Sequence, residues 1–226
     1  MTTIGQLIDM ASTSNPTALF RSEDADGARP SLTVADAGAF LERHGWLRAV
    51  AGPADFERAA MAVSRMHADR TRGLFLTGRV GCGKTMLAGI VYSRLVGQKT
   101  RIDCAVSESV DYLVSEADAA ANGGSFCGSS DYALGGHVWL DDLGAEDFHT
   151  LYGNEFDRCG AFVSRWYARG RGRLIVTTNL DGANFRRRYG DRMVDRILER
   201  CEVVRFEGRT KRWGEGADAL AAARAR

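Results

Sequence analysis

Residues 73–85 read GLFLTGRVGCGKT: a short apolar run, then glycines at 78, 81 and 83, then Lys84 and Thr85. An apolar strand followed by G-x-x-x-x-G-K-T and a helical stretch predicts a loop whose backbone N–H groups close around phosphate. The helix that opens at the end of the loop turns its positive N-terminus toward the same anion. In such a loop Gly78, Arg79, Val80, Gly81, Cys82 and Gly83 form the cradle. Lys84 is placed to reach the β- and γ-phosphates, and the Thr85 hydroxyl to ligate magnesium. The cofactors this stretch predicts are ATP and Mg2+.

Working outward, short β-rich runs alternate with helical patterns from residue 56 onward, as expected of βαβ units around a parallel sheet. Strands are expected at 74–77, 101–106, 137–141, 174–178 and 203–206, with helices near 84–95, 107–121, 150–168 and 184–200. The fold class is therefore α/β, a P-loop NTPase core with a five-stranded parallel sheet flanked by helices. The third strand, HVWLDD, delivers Asp141 and Asp142 at its C-terminal end, the edge where open α/β sheets bind ligands. Asp141 is read as a magnesium ligand and Asp142 as the carboxylate that orients or deprotonates an attacking water. An acidic pair that merely caps the turn DDLGAED is the plainer alternative. The fourth strand ends in Asn179, an uncharged side chain able to hold a γ-phosphate and its water.

The segments GRVGCGKT, VWLDDLGAED, FVSRWYARGRGRLIVTTNL, DRMVDRILERCEVVRFEG and GRTKR together resemble the DnaC/IstB branch of AAA+ ATPases over residues 56–212. That resemblance implies a bacterial or phage helicase loader, or a transposition helper, acting as a homo-oligomer. It makes Asn179 the sensor 1 residue and Arg196 of DRIL an arginine finger. Arg212 becomes a sensor-2-like residue, with Arg209 and Lys211 as close rivals. The implied partners are a replicative helicase or a transposase, with single-stranded DNA. About twenty residues follow the fifth strand, too few for the helical lid of standard AAA+ proteins.

The remaining features bound this reading. The 226 residues are 45% hydrophobic and 26% charged, with a net charge of +1, so nucleic-acid contacts must come from local patches. Arginine supplies 27 of the 30 basic residues and clusters at 165–173 and 186–192. Beside Trp166, Tyr167 and Tyr189, those clusters suit phosphate pairing and base stacking, or simply a solvated surface. Prolines 16, 30 and 53 all fall in the first quarter, which predicts an N-terminal segment over 1–52, a core over 53–208 and a tail over 209–226. Within the first segment, 34–50 reads as one amphipathic helix carrying Phe40, Leu41, Trp46 and Leu47, suited to docking a partner or to folding back on the core. The connection 122–136, NGGSFCGSSDYALGG, is long for a loop. Five cysteines without a CxxC pair indicate neither a zinc site nor a disulfide framework, and no signal or membrane segment is evident, which predicts a cytoplasmic protein. Two other functions fit a phosphate loop: a small-molecule kinase and a nucleotide-dependent adaptor that does not hydrolyse.

Overall fold

The computed structural model describes residues 32–96, 101–105, 137–146, 149–151, 154–156, 158–169 and 172–208. The first helix, α1, spans Val34–Arg43. Thr33 caps it reciprocally: its hydroxyl accepts from Asp36 N at 3.1 Å, and the Asp36 carboxylate accepts from Thr33 N at 3.2 Å. The single helix expected over 34–50 breaks at Gly45, which adopts φ +89°. A one-turn helix, α2, follows at Arg48–Ala51. Gly52 and Pro53 then start α3, Pro53–Ala68, with proline at the first helical position, where its missing N–H costs nothing.

The composition change at residue 53 is thus a helix start inside one core. Phe56, Ala59, Ala60, Val63 and Met66 recur at helical spacing along α3 and are buried against Ala37, Phe40 and Leu41 of α1. Trp46 stacks on Phe56 at 5.8 Å between ring centroids and meets the edge of Phe206 at 5.9 Å. Asp55, 4% exposed, accepts from the Arg58 guanidinium at 2.5 Å and from the backbone N–H groups of Glu207 and Gly208 at 3.1 and 2.9 Å. A buried carboxylate held by three donors ties the start of α3 to the end of the sheet.

The sheet contains β1 (Gly73–Gly78), β2 (Arg101–Asp103), β3 (Val138–Asp141), β6 (Leu174–Thr178) and β7 (Cys201–Phe206), in the order β2-β3-β6-β1-β7. Every pairing in it is parallel. After β1 the chain enters α4 (Lys84–Val91), continues through a wider π turn at Tyr92–Val96, and crosses to β2 at the far edge. β6 therefore lies beside β1, which brings the end of one strand to the loop that follows the other. Side chains alternate along the strands into two cores. Leu74, Leu76, Trp139, Ile175 and Val204 meet α1, α3 and α4, whereas Phe75, Val138, Leu140 and Val176 meet helices on the other face.

That second face is covered by α5 (Arg158–Arg169), α6 (Gly182–Tyr189) and α7 (Asp191–Arg200). Two expected helices differ from this. In place of a helix from residue 150, an antiparallel pair forms between β4 (His149–Leu151) and β5 (Asn154–Phe156), and α5 begins only afterwards. The glycine in HTLYGNEF is the hairpin signal that the helical periodicity farther along obscures. The helix expected over 184–200 is two helices, because Gly190 at φ +79° ends α6 and begins α7. β2 stops at Asp103 and β7 starts at Cys201, two residues earlier than expected. The helix read at 107–121 and the connection 122–136 lie outside the described residues. Among the described residues, no helix is long and apolar enough to cross a membrane.

If residues 32–51 belong to this core, Leu41→Ala, at a fully buried site, is expected to lower the unfolding free energy by about 2–5 kcal/mol. Urea denaturation followed by far-ultraviolet circular dichroism measures this; an unchanged main transition would mean that α1 folds apart from the sheet.

Candidate functional site

The loop 78–83 turns because its glycines accept backbone angles that side chains resist: φ is +147° at Gly78, +82° at Gly81 and +97° at Gly83. At Gly78 a Cβ would stand 2.6 Å from the Phe206 carbonyl oxygen, so the close approach of β7 also requires glycine. Inside the turn lies Lys84, 5% exposed. Its ammonium donates to the carbonyls of Gly78 and Arg79 at 2.8 and 2.9 Å and to Asn179 Oδ1 at 2.8 Å. Asn179 in turn donates through Nδ2 to Asp142 Oδ1 at 3.4 Å. Lysine, asparagine and aspartate thus form one polar line across the ends of β1, β6 and β3.

This line borders a cavity of about 290 Å³. The loop from Val80 to Thr85, together with Asp142 and Asn179, forms its polar wall. Gly45, Trp46, Leu47, Ala51 and Met86 supply the rest of its lining. Trp46 leans on the loop directly, donating from Nε1 to the Gly83 carbonyl at 3.4 Å. Glycine-rich polar lining next to apolar lining suits a phosphate tail attached to a flat hydrophobic group. Sequence reasoning left Trp46 and Leu47 either to a docking face or to a helix folded back on the core; they fold back, and the glycine in HGW was the signal that the chain turns there.

The acidic pair divides. Asp142 faces the cavity in a left-handed conformation, φ +55°, and donates its N–H to Thr177 Oγ1 at 2.8 Å. Asp141 is 2% exposed and does not line the cavity. Its carboxylate accepts from the Thr177 hydroxyl at 2.6 Å and pairs with the Arg101 guanidinium at 2.5 Å, while that guanidinium stacks over Trp139. One hydroxyl on β6 therefore serves both acids, donating to one and accepting from the other. Thr178 donates to the Leu143 carbonyl at 2.6 Å, and Leu143 N donates to the Thr177 carbonyl at 2.8 Å, which pins the rest of the turn. Neither Arg101 nor Thr177 was singled out from sequence, since each works only through a neighbouring strand.

Arg196 lies on α7, outside this cavity. Its guanidinium donates to Ser164 Oγ and covers the Tyr167 ring at 5.4 Å. Arg200, one turn on, covers Trp166 at 5.3 Å. Trp166 is 1% exposed, and Tyr189 is half-buried with its hydroxyl on Glu146, so these rings are packing elements and not free stacking platforms for bases. Arg209, Lys211 and Arg212 lie outside the described residues.

Strand order, glycine loop and buried lysine define a P-loop nucleotide-binding protein. The IstB-like ATP binding protein family matches residues 54–219, and the chain belongs to that family. No curated protein matches the chain. A crystal structure of the DnaC helicase loader is similar at 18% identity and a TM-score of 0.46, covering 68% of this chain and 90% of that one. A candidate primosome component from Streptococcus pyogenes serotype M3 is similar at 18% identity and a TM-score of 0.44, covering 70% of this chain and 83% of that one.

Because Thr177 supports both acids, Thr177→Val keeps the side-chain shape but removes one donor and one acceptor. A loss of about 1–3 kcal/mol is expected, together with weaker nucleotide binding. Urea denaturation and titration with a fluorescent ATP analogue check the two effects, and wild-type values in both would show that the hydroxyl does not hold the turn.

Proposed function

We propose that this chain binds ATP with magnesium in the cavity, hydrolyses it, and uses the nucleotide to assemble with copies of itself as a helicase loader on single-stranded DNA. The observation that carries this reading is the line Lys84, Asn179, Asp142 along one cavity wall. It sets a cation, an amide and a carboxylate where a γ-phosphate and its attacking water would meet all three. Lys84 and the N–H groups from Gly78 to Thr85 hold the phosphates. Thr85 would hold the magnesium, which would neutralise phosphate charge, and Asp141, which does not line the cavity, would reach the ion through water. Asp142 positions or deprotonates the water, and Asn179 senses the γ-phosphate. The apolar shelf of Trp46, Leu47 and Ala51 receives the base.

We assign partner contact to the segment 1–52, whose residues from 32 onward pack on the core over 53–208, and Arg212 to the tail 209–226. In the segment 1–52 Val34, 43% exposed, presents apolar surface. A second reading, supported by the resemblance to IstB-type proteins, makes the partner a transposase and the chain a transposition helper.

Lys84→Ala is expected to weaken binding of a fluorescent ATP analogue at least about tenfold, a hydrogen bond to a charged group being worth ~1.5–3 kcal/mol. Asp142→Asn is expected to retain binding and to slow phosphate release by about a hundredfold or more. Unchanged affinity in the first variant would overturn the phosphate site, and near wild-type turnover in the second would overturn the role of Asp142. Phosphate appearing on a metabolite instead of in water would identify a kinase; binding with no release, even with DNA present, would identify an adaptor.

Arg196, anchored away from its own cavity, is proposed to complete the site of a neighbouring copy. Arg196→Ala and Lys84→Ala proteins are each expected to be nearly inactive alone, and a mixture to regain part of the hydrolysis. Mixed oligomers without regained activity would exclude that role.

A further inference from the structure

On the sheet face away from the cavity, three side chains from separate parts of the chain converge. Cys104 follows β2, Glu146 follows the Asp141–Asp142 turn, and Cys159 sits in the first turn of α5. Their ligand atoms all lie within 4.8 Å of one another. Cys104 is 0% and Cys159 1% exposed, and the Glu146 side chain is 9% exposed. We propose that Cys104, Cys159 and Glu146 form a binding site for a zinc-like divalent ion, with water in the fourth position.

Buried cysteines alone are ordinary core residues. A carboxylate brought in among them is not, because burying that charge requires partners. Here its partners fix the carboxylate in place beside the two sulfurs. Glu146 Oε2 accepts from Gly144 N at 2.7 Å, and Oε1 accepts from the Tyr189 hydroxyl. Oε2, with one donor, keeps a second lone pair for a metal.

Charge and size agree. Two thiolates, one carboxylate and a divalent ion sum to −1, and Arg188, whose guanidinium is 3.6 Å from Glu146 Oε1, brings the group to zero. Around a tetrahedral ion with bonds of ~2.3 Å to sulfur and ~2.0 Å to oxygen, ligand atoms stand roughly 3.5–3.8 Å apart, so closure requires shifts of about 1 Å. Two sulfurs select a borderline-soft ion over magnesium or calcium. Binding forms two metal–sulfur bonds and one metal–oxygen bond and releases two thiol protons to water, with no change of oxidation state.

Such an ion would brace the turn that carries Asp142. Glu146 lies four residues after Asp142, and Cys104 N donates to the Asp141 carbonyl at 2.8 Å, so two of the three ligands join the chain beside the acidic pair. Its role would be structural, linking β2, the turn and α5.

The test uses the full chain, purified with a non-thiol reductant and no chelator, and Co2+ as the probe. One equivalent is expected to give thiolate-to-cobalt charge-transfer absorption in the near ultraviolet and tetrahedral bands in the visible, both abolished by Zn2+. Cys104→Ser and Cys159→Ser should each lose the charge-transfer band, and Cys201→Ser should keep it. Glu146→Gln should weaken cobalt binding by more than about tenfold. Binding of a fluorescent ATP analogue reports whether each variant is folded and keeps this result separate from the nucleotide site. Should the cysteine variants fail to fold, the wild-type titration still decides, since no charge-transfer band at one equivalent overturns the site. A band that survives both cysteine substitutions overturns it as well.

Discussion

An ammonium group leaves water only if oxygen atoms replace its hydration, and the position of Lys84 follows from that requirement. Two of those oxygens are carbonyls of the glycine loop, which the loop can aim inward because it turns through left-handed backbone angles at Gly81 and Gly83. The third is Asn179 Oδ1, supplied by a different strand. That contact exists because β6 lies between β1 and β3, so the chain that leaves β1 must reach the far edge of the sheet before it returns. Strand order, loop geometry and the buried lysine are therefore one constraint, and the cavity forms around it.

The acidic turn shows how a single hydroxyl can separate two chemically identical side chains. Thr177 lies fully buried between Asp141 and the backbone of Asp142. Donation to the first and acceptance from the second hold the chain in a left-handed step that aspartate tolerates better than most residues. One carboxylate is thereby turned into the interior toward Arg101, and the other is delivered to the cavity. The two carboxylates thus differ in environment and not in residue type.

The apolar lining of the cavity belongs to a part of the chain whose composition sets it apart from the rest. Gly45 reverses α1 so that Trp46 packs on Phe56, touches Phe206 and reaches the Gly83 carbonyl. The same ring thus belongs to the hydrophobic core and to the loop that holds the lysine.

By itself the sequence determined the loop, the parallel α/β class, and the strand ends that carry Asp141, Asp142 and Asn179, because these depend on neighbours within a few residues. Glycine spacing, apolar runs and short polar punctuation are local signals of that kind. Helix breaks at Gly45 and Gly190 were legible in principle, but periodicity averaged over a long window hid them. What only the tertiary structure decided are the relations between distant segments. These are the Trp46 shelf over the loop, Thr177 serving both acids, Arg101 on Asp141, and Cys104 beside Cys159 and Glu146. In each case the partners are brought together by strand order and by the alternation of side chains between two sheet faces, neither of which a one-dimensional spacing records.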